Sequence, residues 1–293
     1  MEPDFPLHTA VVCHDAGAAN IVIASLLETG RVDWRAYMAG PAERLWKASF
    51  SKIELHDSLE STLDGAELLV TGTGWESDVE HEARLLARER GVKSVAIIDH
   101  WVNYVERFVR HGKVVWPDEF WVTDQYALEH ALRVFPEKSV LQIPNHYVIR
   151  QLREIALVEK ADEPELLYVL EPMRTDWGHG IPGEFQALDY FVGRFSELGF
   201  PAETVIRLRP HPSEVYGKYD HWIDLNPEMN IKLDTLLSIS ESLGRATWVA
   251  GCESFALVLA MMAGRKVYCT LPPWAPPCRL PHGGLIHLGR LSK

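Results

Sequence analysis

Short apolar runs recur along this chain, each ending in a polar or small-residue loop and followed by a segment with helical spacing. Runs at residues 9–13, 34–38, 67–70, 94–98, 119–122 and 140–143 read as strands. Helical patterns follow at 21–28, on a polar segment ending near Arg90-Gly91, at 126–134 and after Pro144-Asn145-His146. A polar stretch at 159–165 interrupts the alternation and reads as a linker. The pattern then restarts, with strands at 166–170, 205–208, 230–233, 246–250 and 266–269, and helices at 183–198, 238–243 and 255–263. Gly264 closes the last of these helices just beyond its final turn. Strands alternating with helices predict βαβ units and parallel sheets. The expected fold class is therefore α/β, with two Rossmann-like domains at residues 1–158 and 164–293 facing across a cleft. The Pro-rich tail at 271–281 reads as irregular and able to pack back on the first domain.

In open parallel sheets, ligands bind at the carboxyl ends of the strands. The loops there are where chemistry is expected. In the second half, Arg207-Leu208-Arg209-Pro210-His211-Pro212-Ser213 leaves a strand with cationic groups held by two prolines. Arg209 offers a forked donor to a phosphate, and His211 can donate to a phosphate oxygen or protonate a leaving group. A solvated turn is the plainer alternative. Gly251-Cys252-Glu253-Ser254 opens a helix, whose free N–H groups attract anions. Ser254 serves there either as an anion contact or simply as a cap. Glu253 suits the hydroxyls of a ribose or another sugar. The polar loop at 171–180 brings Arg174 as a further phosphate contact, unless it is ordinary surface.

The first half is richer in acid–base and sugar-friendly side chains. His14-Asp15-Ala16-Gly17-Ala18-Ala19-Asn20 follows the first strand with residues small enough for close backbone approach. Asp15 is a candidate general base, or else a cap for the next helix. Asp99 and His100 follow another buried strand, and Asn103 and Arg107 would share a face if that segment were helical. Trp101 and Tyr104 suit either a sugar face or the core. Thr73, Trp75 and His146 would line the same edge as His14, Asn20, His100, Asn103 and Arg107.

Composition narrows the partners. The chain has 293 residues, is 47% hydrophobic and 24% charged, and carries a formal charge of −12. That balance fits a folded globular protein and opposes general nucleic-acid binding, which needs a basic face. No apolar run is long enough to cross a bilayer, and the acidic, proline-broken start lacks the form of a secretory signal. A cytoplasmic location is expected. Cys13, Cys252, Cys269 and Cys278 show no CxxC spacing, so they read as reduced core thiols. The loop after the first strand lacks GxGxxG, which gives dinucleotide binding little support, and GxxxxGK[ST], GxSxG and HExxH are absent from the sequence, which disfavours P-loop kinase, esterase and zincin chemistry. No cofactor is called for. A divalent cation such as Mg is compatible with diphosphate departure, but no motif supports one.

His211-Pro212 after a strand, with Glu253-Ser254 at a helix start about forty residues on, resembles the bacterial GT-B glycosyltransferases. The flavour is that of the sialyl-, polysialyl- and Kdo-transferases of capsule and lipopolysaccharide assembly. The run from Glu253-Ser254-Phe255-Ala256-Leu257 to Ala263-Gly264-Arg265-Lys266-Val267 is similar to the GT-B donor-binding helix. The resemblance covers residues 166–270. It implies that His211 and Ser254 contact donor phosphates while the acceptor and the base come from the first half. The expected function is glycosyl transfer from a sugar nucleotide to a glycan hydroxyl. Asp15, Asp99 and His211 would be catalytic, and Arg174, Arg209, His211, Glu253 and Ser254 would hold the donor. Three alternatives stand beside it. Phosphoribosyl diphosphate could be the donor, because the second half is short for a nucleotide domain. The chain could be a sugar-nucleotide epimerase of the same architecture, or a binding module without turnover.

Overall fold

A computed structural model describes residues 2–173 and 175–291. The described residues form two compact units, the first ending at Ile149 and the second beginning at Arg150. Each is built on a sheet of six parallel strands.

The first unit runs β1 (Thr9–Cys13), α1 (Ala16–Glu28), β2 (Arg35–Met38), α2 (Gly40–Ser49), α3 (Leu59–Thr62), β3 (Leu68–Thr71), α4 (Val79–Arg90) and β4 (Lys93–Ile97). A small antiparallel hairpin, β5 (Val109–Arg110) and β6 (Lys113–Val114), precedes β7 (Glu119–Val122), α5 (Gln125–Val134) and β8 (Ser139–Gln142), and α6 (His146–Ala156) begins in this unit and ends in the second. Strand order is β2-β1-β3-β4-β7-β8. Alternation along β1 divides the core between the two faces of the sheet. Val11 and Cys13 pack with Val70, Val95, Ile97 and Trp46, while Ala10 and Val12 pack with Leu69, Ala83 and Ala87. Burial on both faces is why these strands read as unbroken apolar runs. Local signals set the helix ends. The Asp124 carboxylate accepts from the Ala127 N–H at 2.8 Å to start α5, and Gly91 at φ +68° ends α4 after Arg88 and Arg90.

The second unit runs β9 (Glu165–Val169), α7 (Gly183–Gly193), β10 (Val205–Arg209), α8 (Asp220–Asp224), β11 (Ile231–Leu233), α9 (Ile239–Arg245), β12 (Trp248–Gly251), α10 (Phe255–Met262), β13 (Lys266–Cys269) and β14 (Ile286–His287). Strand order is β11-β10-β9-β12-β13-β14. Leu166, Tyr168, Ile206, Leu208, Ala250 and Tyr268 share a core with Leu188 and Phe191. Ser238 caps α9 through the Glu241 N–H, and Ser254 caps α10 through the Ala256 N–H.

Several expectations shift on the structure. The helix expected at 183–198 breaks after Gly193 into a 3-10 turn over Phe195–Leu198. The expected linker already contains the start of β9, because Glu165 is buried and pairs with Arg207 at 2.6 Å. The tail beyond 271 packs within the second unit. Trp274 Nε1 donates to Gln186 at 2.8 Å, and β14 adds to the sheet edge beside β13.

Candidate functional site

Both sheets reverse their winding at one point, and that is where an open α/β sheet leaves a crevice. In the first sheet the switch lies between β1 and β3, and in the second between β9 and β12. The two crevices share a device: a buried glutamate ties neighbouring strand-end loops together.

In the first unit that residue is Glu80, near the start of α4. Its carboxylate accepts the His14 N–H at 3.1 Å and the Gly74 N–H, joining the loop after β1 to the loop after β3. Burial pushes its pKa up to about 7, against the opposing pull of those N–H groups and of Arg84. Arg84 lies one turn on, buried, donating to Thr71 Oγ1 at 3.0 Å and to the Gly72 carbonyl at 3.1 Å. The loops so held carry an acid–base cluster. His14 Nδ1 meets Asp15 Oδ1 at 2.6 Å, and Asp15 Oδ2 accepts the Trp75 N–H at 3.2 Å. Asp99 receives Arg107 Nη1 at 2.8 Å, and the same nitrogen donates to Thr73 Oγ1 at 3.0 Å. The other oxygen of Asp99 lies against Gly17, at the first turn of α1, where a Cβ would come within 1.9 Å of it. Gly74 makes the matching allowance for Asp15. Arg107 lies beneath the half-exposed ring of Trp75, 5.8 Å from its centroid.

The structure thus brings together His14, Asp15, Thr73, Trp75, Asp99 and Arg107, and treats the other predicted residues differently. Thr73 is buried and serves Arg107, with its hydroxyl donating to the Ile97 carbonyl, so it does not line a crevice. The segment after Asp99 is not the helix that would have paired Asn103 with Arg107. Asn103 sits in a left-handed turn at φ +60° and is exposed, while Arg107 is buried. His100 turns back on its neighbour, with Nδ1 accepting the Trp101 N–H at 2.9 Å. Trp101 and Tyr104 are core anchors. Asn20 is half-buried on α1. His146 is placed elsewhere: it pairs with Glu2 at 2.9 Å and lines a cavity of about 300 Å³ with Ser25, Glu28 and Thr29. Those three belong to the far end of α1, three turns from Asp15.

In the second unit the corresponding glutamate is Glu171, just beyond β9. It accepts the Glu253 N–H at 2.6 Å, and burial pushes its pKa up to about 7. The N–H that was expected to greet an anion therefore already has a carboxylate. Glu253 is not free for a sugar: Arg279 of the tail holds it through its main-chain N–H at 3.0 Å and its guanidinium. Ser254 caps α10, as the simpler alternative had it. Arg209 departs furthest from its expected role. Its Nη1 is taken by buried Asp234 at 2.6 Å, Ser242 at 2.9 Å and the Leu236 carbonyl at 3.1 Å, so it clasps β10 to the segment before α9. Arg174 lies outside the described residues.

His211 remains the outward group. It is exposed, and its Nδ1 takes the Ser213 N–H at 3.2 Å beside the Ser213 hydroxyl at 2.7 Å. With Nδ1 accepting, the neutral ring carries its proton on Nε2. Beneath it Glu214 accepts the His211 N–H at 2.9 Å, Tyr219 Oη at 2.6 Å and Lys218 Nζ at 2.6 Å. Burial works against the Glu214 carboxylate, but Lys218, Tyr219 and that N–H outweigh it and hold the pKa below its usual value. Lys218 also pairs with Glu184, whose carboxylate accepts the Met173 N–H at 3.2 Å. The loops after β9, β10 and β12 are thus joined by two buried acidic nodes.

Among the described residues, no group of three or more His, Cys, Asp or Glu is placed to hold a metal ion. Among them, too, no helix is long and apolar enough to cross a membrane.

No family model and no curated protein matches the sequence. Solved structures resemble the fold. The S. aureus protein MnaA, in a co-structure with UDP, aligns at a TM-score of 0.60 and 10% identity over 89% of this chain and 78% of that one. The UDP-GlcNAc 2-epimerase from Neisseria meningitidis, bound to UDP-GlcNAc, aligns at 0.60 and 9% identity over 89% and 82%. The architecture is GT-B-like: two α/β units on parallel sheets. The narrower likeness to His-Pro sialyl- and Kdo-transferases finds no matching family model.

Proposed function

We propose that this protein is an enzyme of sugar-nucleotide chemistry that transfers a glycosyl group from a nucleoside-diphosphate donor to a glycan hydroxyl. The observation that carries the reading is the cluster of His14, Asp15 and Asp99 at the switch point of the first sheet. Asp15 orients His14 through Nδ1, so Nε2 is the acceptor for a hydroxyl proton, the arrangement of an aspartate–histidine base. Asp99, steadied by Arg107, supplies fixed negative charge for a sugar that becomes cationic as its leaving group departs. In the second unit, taken by itself, the exposed ring of His211 is the candidate contact for a donor phosphate. Among the structurally similar proteins, one was solved with UDP and another with UDP-GlcNAc, which supports a nucleotide-linked substrate.

A second reading is supported by those same neighbours. A histidine and two carboxylates in one crevice can also remove and return a proton on a single sugar, as an epimerase requires. Incubating the protein with UDP-GlcNAc separates the two. Glycosyl transfer predicts no sugar product until a glycan acceptor is added, and then a lengthened glycan with free UDP. An epimerised sugar formed without acceptor selects the second reading. The absence of turnover with any UDP-, CMP- or GDP-sugar, with or without acceptor, rejects both. In the productive assay, Asp15→Asn should lower turnover by about 10²–10⁴.

A further inference from the structure

Three of the four cysteines converge at one end of the second sheet. Cys269 ends β13, Cys252 follows β12, and Cys278 lies in the tail. Cys269 Sγ donates to the Cys252 carbonyl at 3.1 Å, and Cys278 Sγ approaches the same oxygen at 3.9 Å. The two sulfurs thus lie against one and the same carbonyl oxygen. Between them lie Pro272, Pro273, Pro276 and Pro277, which fix four φ angles and hold the end of this short loop in place. Cys252 Sγ turns elsewhere, to Thr270 Oγ1 at 3.8 Å. Cys269 is fully buried and Cys278 half-buried, so oxidants reach the pair through Cys278.

We propose that Cys269 and Cys278 are a redox-active dithiol that closes reversibly to a disulfide. The neighbouring Cys269 lowers the Cys278 thiol pKa, against burial and the nearby Glu253 and Glu171, and the pKa of Cys269 is raised. Cys278, the more exposed of the two, is the nucleophile, and buried Cys269 is the resolving thiol. With a hydroperoxide as oxidant, the Cys278 thiolate attacks the O–O bond. An S–O bond forms, the O–O bond breaks, and the departing oxygen leaves as water or alcohol. The Cys269 thiol then attacks the Cys278 sulfenic sulfur, an S–S bond forms, and the hydroxyl leaves as water with the Cys269 proton. Two electrons pass from the sulfurs to the peroxide, and a dithiol reductant returns them. Arg279, which holds Glu253, follows Cys278 directly, so the disulfide pins that contact against the sheet.

The test is thiol counting on the full chain. Hydrogen peroxide is added to the folded protein, which is then denatured, alkylated and weighed by mass spectrometry. The expected result is two alkylatable cysteines instead of four, a cross-linked peptide joining Cys269 to Cys278, and reversal by dithiothreitol. Cross-linking should be about tenfold or more faster in the folded protein than in urea, because folding supplies the proximity. Cys252→Ser should keep the cross-link, whereas Cys269→Ser and Cys278→Ser should lose it. Four alkylatable thiols at peroxide levels that oxidise glutathione would overturn the proposal. So would a cross-link to Cys252, or Cys278 sulfinic acid beside an intact Cys269 thiol.

Discussion

Asp99 shows how much of the first crevice depends on what is missing from a neighbour. Its carboxylate fills the space that a Cβ on Gly17 would occupy, and Arg107 holds it there at 2.8 Å. Gly17 does not have a positive φ, so its role is space rather than backbone freedom. Gly17→Ala should therefore force Asp99 or the first turn of α1 to move. We expect a loss of about 1–3 kcal/mol in urea unfolding, in the range of other overpacked sites. Gly193→Ala is the control: no atom lies within 4 Å of the added methyl, and the backbone is ordinary. It should be neutral or stabilising by up to about 1 kcal/mol, from helix propensity. Equal losses at both positions would show that Asp99 is not fixed against α1. At this scale the sequence was informative. Asp15 and Asp99 stand out as candidates because a charged residue directly after a buried apolar run has few purposes other than capping or chemistry. Arg209 misled for the opposite reason: its partner, buried Asp234, is 25 positions away, and a basic residue read alone suggests an external anion.

Among the elements, α4 carries the group that was hardest to foresee. Glu80, Ala83, Arg84 and Ala87 share one face, and all four are buried. From sequence that face reads as solvated, since small alanines beside an i,i+4 Glu–Arg pair usually meet water. The available signal was the mismatch: a charged pair on the only face with enough alanines to lie close to a sheet. Glu171 went unremarked because its role is to serve main-chain N–H groups across the switch point, and side-chain patterns do not record that. Both glutamates should leave a trace in the pH dependence of stability. Each titrates at about 7 in the folded protein instead of 4.5, with burial the main cause. Between those values the folded state binds protons that the unfolded state has released, so stability falls as pH rises through this window. Above about 7 the slope from these groups vanishes. The ceiling for each is on the order of 3 kcal/mol. Glu80→Gln and Glu171→Gln should each flatten the decline in unfolding free energy between pH 4.5 and 7. An unchanged slope in both variants would mean that these carboxyls titrate normally.

At the scale of the whole molecule, the alternation of strands and helices was legible because parallel strands buried on both faces cannot be disguised. The alternation does restart after the polar stretch near residue 160, but the two units, each with its own apolar core, divide between Ile149 and Arg150, within α6 and before that stretch. That division allows the proposed roles to be separated. Donor phosphate contact is assigned to His211 in the second unit and acid–base chemistry to Asp15 and Asp99 in the first. Binding and turnover should therefore respond to different mutations. UDP at 100 times its dissociation constant adds about 2.7 kcal/mol of stability. For units of this size that is a rise of roughly 5–10 °C in Tm. Wild type and Asp99→Asn should show the same rise, because Asp99 serves only the reacting sugar. His211→Ala should lose most of it while unfolding at the wild-type temperature without ligand, since its ring is exposed and its loop is held from beneath by Glu214 through the main chain. A full UDP shift in His211→Ala would remove His211 from the phosphate site. A lost shift in Asp99→Asn would mean that the first unit takes part in holding the nucleotide, so binding and chemistry could not be divided in this way.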